Sequence, residues 1–340
     1  MIISIPPEPE ESDDLSDEPN PQELAQESAC EVREVVVPPQ FHGQRLDRML
    51  AWAVPEFSRS YLQQLVEQGA VVHKGLTAHK AATKVKAGEP WVVELRATPQ
   101  SQAFKPEVMA LAVVFEDQHL RIIYKPAGLV VHPAPGHWSG TLLNGLLALD
   151  AQALELPRAG IVHRLDKDTS GLMVVARTRA AMDSLVKLIA AHDVRRRYLA
   201  VCAAPWRGAR QQQVDVPIGR DPSNRLRMAV VDLAKHPGKT AQTTIERLAD
   251  SSEGCLLRCT LHTGRTHQIR VHMAHLGMPL VGDAIYGGPV HPCMPRQALH
   301  AYHLAFAHPV SGAPLEFFAN PPPDFLDLLQ AWGLSYNQST

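Results

Sequence analysis

Apolar positions between residues 46 and 95 switch from a helical to a strand period. Leu46, Met49, Leu50 and Ala53 recur every three to four residues until Pro55, which predicts a short helix that the proline ends. Ser58 is placed to cap a second helix with Leu62, Leu65 and Val66 on its buried face and Gly69 as its stop. Val71 and Val72 then lead to a turn at Gly75, and Trp91, Val93 and Leu95 alternate after Gly88 as a half-buried strand does. These elements make one compact α+β module over 41–100.

Beyond a linker at 99–106 strands dominate. They are expected at 113–115, 120–124, 129–132, 161–165, 173–176, 198–202, 243–248, 256–261, 302–307 and 315–318. Helices are expected over 141–149, around Met182, Leu185 and Ile189, and from the 263–273 segment, with Ile269, Met273 and Leu276 buried and Gly277 as stop. There is no strict βαβ alternation and no GxGxxG or GxxxxGK[ST] motif. The fold class is therefore α+β with a mostly antiparallel mixed sheet, and nucleotide-cofactor folds lose their main support.

At 340 residues the chain has room for two domains. Residues 1–31 carry ten acids, no Lys or Arg, and five prolines, too little apolar surface to offset the entropy of ordering, so an acidic disordered tail is expected over 1–34. The rest holds 33 basic against 25 acidic residues, which is compatible with a polyanionic partner. No apolar run approaches the ~20 residues of a membrane span, and no secretion signal opens the chain, so it is read as cytoplasmic. Five scattered cysteines without a CxxC pair fit reduced structural thiols.

The densest polar cluster runs from Gly160 through His163, Arg164, Leu165, Asp166, Lys167, Asp168, Thr169, Ser170 and Gly171, between two apolar segments. By residue type alone it fits either a turn or a functional loop. A second cluster, Thr263 to Met273, contains Gly264, Arg265, His267, Gln268, Arg270 and His272, and Arg270 lies one position off the apolar helix face. Histidines 267, 272 and 275 do not share one face and there is no HExxH, so no metal is expected, although a metal hydrolase built on them is one alternative. Lys74, Lys80, Lys84 and Lys86, with Arg45, Arg48 and Arg59, form either a solvated face or a phosphate-binding surface. Arg195, Arg196 and Arg197 read as an exposed strand entry or an RNA contact.

His163, Arg164, Leu165 and Asp166, followed by Lys167, Asp168, Thr169, Ser170 and Gly171, resemble the active-site signature of the bacterial large-subunit ribosomal RNA pseudouridine synthases. The stretch from Phe115 through Tyr124, Lys125, Pro126, Gly128 and His132 resembles that family's opening strands, and Gly264 to His272 its arginine motif. Leu280, Val281, Gly282 and Asp283 with Tyr286 and Gly287, then Gln297 to His300, His308 and Pro309, are similar to its closing motifs. Gly43 to Asp47 with Ser58, Arg59 and Ser60 resembles the small RNA-binding module named after ribosomal protein S4. The acidic tail, Tyr124 in place of a common asparagine, and the 319–324 end depart from the family pattern.

The resemblance implies a catalytic domain over 108–335 behind an S4-like module, acting on ribosomal RNA as a cofactor-free monomer. By the same resemblance Asp166 is the catalytic aspartate, Arg164 replaces the flipped base, Tyr198 packs on the uracil, and Arg270 is the basic partner of Asp166. Arg265 and His267, and Arg45 and Arg59 on the module, are the further substrate contacts it implies. Breaking N1–C1′ and joining C5 to C1′ needs an ionised carboxylate as nucleophile or base. Burial favours the neutral acid and a nearby guanidinium the ion, which gives Arg270 a purpose. Extrusion of a stacked base leaves a gap that a long cationic side chain such as Arg164 fills. A non-catalytic S4-type RNA-binding protein is the other alternative.

Overall fold

The computed structural model describes residues 31–55, 59–95, 103–134, 137–224 and 227–336. The chain divides into two compact units, one ending at Ala103 and the other starting at Phe104. The disorder expected of 1–30, and the Ser58 cap, lie outside the described residues.

The first unit orders β1 (Glu31–Val36), α1 (Leu46–Ala53), α2 (Arg59–Glu67), β2 (Val71–His73), β3 (Leu76–Thr77) and β4 (Pro90–Leu95) into a sheet of order β1-β4-β2-β3 beside two helices. Leu46, Met49 and Leu50 of α1 pack on Leu62, Leu65 and Val66 of α2 and on Trp91 and Val93 of β4, so the two hydrophobic periods meet in one core. Gly69, at φ +73°, ends the helical run, with the Ala70 amide donating back to the Leu65 carbonyl. Strand β1 takes in residues 31–34, which composition assigns to the tail. It is an exposed edge strand, held by backbone pairing to β4 rather than by an apolar face, and hydropathy does not register it.

The second unit contains β5 (Ala112–Glu116), β6 (Leu120–Lys125), α3 (Leu142–Leu149), β7 (Ser170–Ala176), α4 (Arg179–Ala190) and β8 (Arg195–Cys202). There follow β9 (Gln211–Asp215), β10 (Ile218–Arg220), β11 (Met228–Val230), β12 (Gly238–Lys239), β13 (Gln242–Asp250) and β14 (Cys255–Leu261). Helix α5 (Gln268–His275), β15 (Leu299–Ala307), β16 (Pro314–Phe318) and α6 (Pro323–Ala331) complete it. A nine-stranded sheet runs β5-β6-β7-β15-β8-β14-β13-β9 with β16 on β15, and its one parallel pair is β7 with β15. The expected α+β class with a mostly antiparallel sheet is what the chain forms.

Side-chain alternation sends Ile123, Met173, Val175, Tyr198, Ala200 and Leu257 to one face, under α3 and α5. Ile122, Leu172 and Val174 face the other way onto α4, and Leu199, Val201 and Leu256 onto Phe325 and Leu328 of α6. Gly171, at φ +120°, is where β7 meets β15 most tightly: a Cβ there would run into the Ala301 carbonyl. Among the described residues no helix is long and apolar enough to cross a membrane.

Two expected strands do not form. In 129–132 the Val130 and Val131 carbonyls accept the first amides of α3, and the Leu129 carbonyl accepts from Lys125, so this apolar run caps a helix instead of joining the sheet. In 161–165 a single bridge joins Ile161 to Val175, and the Val174 amide donates to His163 Nε2. Sequence periodicity also passes over β9, whose glutamines pair at the sheet edge without burial, and α6, whose start is set by Pro323 at its first position.

Candidate active site

The loop carrying Asp166 is pinned to the scaffold through its own backbone. Lys125, at the end of β6 and with no exposed surface, donates from Nζ to the carbonyls of Pro126 (2.7 Å), Leu129 (3.0 Å) and Lys167 (2.8 Å). Burial pulls its ammonium down to about 7, with Asp168 and Asp166 opposing that shift. Arg296 donates to the Asp168 carbonyl at 2.8 Å while its fork is held by Asp324, and the Thr169 amide closes a turn on the Asp166 carbonyl. The loop is therefore positioned without using the Asp166 carboxylate, whose side chain is 16% exposed.

Helix α5 delivers Arg270 to that carboxylate. Nη1 donates to Asp166 Oδ2 at 3.1 Å, while Nε and Nη2 form a two-point clamp on Asp283 at 2.7 and 2.9 Å. Arg270 is 3% and Asp283 1% exposed. Burial works against the guanidinium charge, but Asp283 and Asp166 together hold it above the ordinary arginine value. The Tyr286 ring lies 5.0 Å from the guanidinium carbon. Arg270 thus sits in the core of the site and not at the rim of a cleft, and it spends two of its three contacts on a fixed carboxylate.

His267 caps α5 in a left-handed conformation, at φ +55°. Its Nδ1 is 2.8 Å from the Tyr286 hydroxyl, which accepts from the Met228 amide, and its Nε2 is 3.9 Å from Asp166 Oδ1. The phenolic hydrogen can go to Nδ1, leaving the imidazole proton on Nε2, on the Asp166 side. Burial lowers the His267 pKa against the pull of Asp166, which favours the neutral ring. Tyr198 is buried on the same sheet face. Its phenol is pushed up to about 12, first by burial, with Arg196 opposing and Asp166 adding. It offers a flat wall and a protonated hydroxyl, not a base.

Arg164 is exposed two residues before Asp166, and its charge, with that of Arg158, adds to burial in bringing His132 down to about 4. Arg265 donates from Nε to the Thr240 carbonyl, a tether beside the site. In the first unit Arg45 and Arg59 both clamp the buried Asp47, joined by Gln63, and the Arg45 bonds lead in holding that carboxyl well below the ordinary range. Both arginines keep exposed flanks while doing so.

Histidine 272 lies between the Thr243 hydroxyl and the Val216 carbonyl, a structural setting. Among the described residues no group of three His, Cys, Asp or Glu side chains could hold a metal. Motif spacing alone gave no role to Asp283, Tyr286 or Lys125. Arg196, read as part of an exposed basic entry, is buried. The signal for it was parity: Arg196 falls in step with Tyr198, Ala200 and Cys202.

The arrangement presents one accessible carboxylate, locked by an arginine that is itself locked, beside an aromatic wall and an exposed cation. That suits nucleophilic or basic attack on a base extruded from RNA. Residues 119–275 match the family model for RNA pseudouridylate synthase. The chain is 45% identical, over 93% of its length and 86% of the relative's, to the ribosomal large subunit pseudouridine synthase D of Neisseria meningitidis serogroup B. It is 45% identical to the Nitrosomonas europaea protein of that name, covering 88% of this chain and 87% of that one. To the Escherichia coli K12 protein it is 40% identical, covering 87% and 93%. Among solved structures, human RNA pseudouridylate synthase domain containing 4 shares the fold at a TM-score of 0.51 and 23% identity, covering 66% of this chain and 94% of that one. The chain belongs to the RNA pseudouridine synthase family and is an RNA pseudouridine synthase.

Proposed function

We propose that the chain isomerises specific uridines of large-subunit ribosomal RNA to pseudouridine, as the names of its relatives state for them. Asp166 acts as nucleophile or base while N1–C1′ breaks and C5–C1′ forms, and the hydrogen displaced from C5 is balanced by one gained at N1. Tyr198 holds the detached ring, Arg270 aligns Asp166, and Arg164 enters the helix gap left by the flipped nucleotide. His267 and Arg265 line the approach to the site.

Residues 41–100 serve as an S4-like RNA-binding module, with Arg45 and Arg59 meeting phosphate along their exposed flanks, ahead of a catalytic domain over 108–335. The chain works as a monomer in the cytoplasm, without a cofactor. The observation that carries this reading is the Asp166–Arg270–Asp283 arrangement, in which one carboxylate faces solvent and the other is spent on alignment. Pseudouridine mapping of large-subunit RNA, from cells with the wild-type chain or with Asp166→Asn, tests it. The modified positions should vanish with the variant although the protein still folds and binds RNA, and persistence of the marks would overturn the assignment.

A further inference from the structure

Arg196 is a charge without a counter-charge. Strand β8 sends it to the face that carries Tyr198, Ala200 and Cys202, and Leu261, directly opposite on β14, packs against the core under that face. Arg196 is 6% exposed, and its Nε has no hydrogen-bond partner. Among the described residues it forms no ion pair. Its neighbours place it at the reacting centre. Its charge adds to burial in lowering His163 and tempers the rise of Tyr198, and a Cβ built on Gly264 would come 2.9 Å from its Nη1. The guanidinium therefore lies between the loop that carries Asp166 and the loop that opens α5.

A desolvated guanidinium with no partner costs several kcal/mol, whereas a methionine at this point of the strand would pack without penalty. The fold contains nothing that offsets the cost, so the partner has to arrive with the ligand. RNA brings one anion per nucleotide, and the planar fork of arginine matches two phosphate oxygens. Gly264 is exposed while Arg196 beside it is buried, so the one cover at that end is a residue without a side chain, which leaves room for a ligand oxygen to approach. We propose that Arg196 is the receptor for a phosphodiester of the nucleotide flipped into the cleft, fixing the ribose so that C1′ faces Asp166. This rests on reading Asp166 and Tyr198 as the reacting pocket.

The test measures binding in the full-length Asp166→Asn protein, so that turnover does not enter, using a transcribed fragment of large-subunit RNA that the wild-type chain modifies. Arg196→Met should weaken affinity about tenfold or more, the worth of a charge-assisted hydrogen bond. It should make the slope of log affinity against log salt shallower by about 0.7–0.9. Without RNA its melting temperature should equal or exceed that of the parent, because an uncompensated charge has been removed. Arg196→Lys should restore the slope but only part of the affinity, since an ammonium lacks the fork. A lower melting temperature with unchanged affinity and slope would make Arg196 structural and overturn the proposal. Weaker binding with an unchanged slope would also overturn it, pointing to a neutral carbonyl of the base as the partner. Residual turnover in the Asp166→Asn parent would count against the catalytic reading alone and leave the binding comparison intact.

Discussion

Arg270 has two jobs that a double substitution separates. Arg270→Met removes the guanidinium and leaves Asp283, 1% exposed, with only the Tyr286 amide at 3.3 Å among the contacts of its carboxylate. Stranding one half of a buried, bidentate pair costs ~3–5 kcal/mol, which urea unfolding reads directly. Arg270→Met with Asp283→Leu removes both charges and replaces them with apolar groups of similar size, a change that is often close to neutral, so stability should return to within ~1 kcal/mol of wild type. The rate should not return. In both variants Asp166 has lost the 3.1 Å bond from Nη1, and loss of one such aligned donor is worth roughly 100-fold to 1,000-fold in the chemical step. Pseudouridine formation under single turnover, with enzyme saturating, should therefore fall by the same factor in the single and double variants while RNA affinity changes little. Recovery of the rate along with stability would show that Arg270 serves the fold alone and would refute the reasoning, as would a single variant that loses less than ~1 kcal/mol.

Lys125→Met takes the shared donor from the Pro126, Leu129 and Lys167 carbonyls, so the Asp166 loop should loosen and the single-turnover rate fall by roughly tenfold or more, with RNA affinity retained. With its folded pKa drawn down to about 7, Lys125 sheds its proton well before an unfolded lysine does, so the unfolded state binds more protons above pH 7. Wild type should gain stability on Lys125→Met between pH 7 and 10, in urea titrations at both ends of that range. His300, buried between the Ser170 hydroxyl and the Ala319 carbonyl, is lowered to about 4 chiefly by burial; the folded state keeps it neutral while the unfolded state takes up a proton near 6.5. The chain should lose stability as pH falls from about 6.5 to 4, and His300→Asn should remove up to about 3 kcal/mol of that pH dependence, seen as a flatter plot of unfolding midpoint against pH.

Elements that bury one regular face were legible in the sequence: α1, α4, β7, β8 and β14 carry their periods through to the residues that fill the core. Segments 129–132 and 161–165 were misread because an apolar run does not say what its backbone will bond to. Here the carbonyls go to the first turn of α3 and to Lys125, and a histidine takes the Val174 amide. Asp166 and Arg270 stood out because loop and helix motifs concentrate them. Asp283 did not, since it reaches Arg270 only once the turn after Leu280 folds back across α5, and no spacing encodes that. Lysine is exposed by default, so Lys125 gave no hint of its fully buried ammonium.

The features that cost stability gather around Asp166. Arg158 and Ala159 occupy left-handed conformations just ahead of the loop, and His267 another at the start of α5, each a strain on the order of 1–3 kcal/mol. Lys125 is fully buried on three carbonyls, and Arg196 is buried without a partner. The apolar faces of the nine-stranded sheet contain no comparable strain, and their helices hold the site open from both sides. Such a distribution makes sense for an enzyme whose substrate is a polyanion. In the free protein the cationic groups repel one another and desolvate at a cost, and the bound phosphates reverse both terms at once. The Asp166 carboxylate cannot be relieved that way, because an arriving anion repels it. That is why its one guanidinium contact has to be built into the fold, and why a second carboxylate, Asp283, is needed to keep that guanidinium from following the RNA.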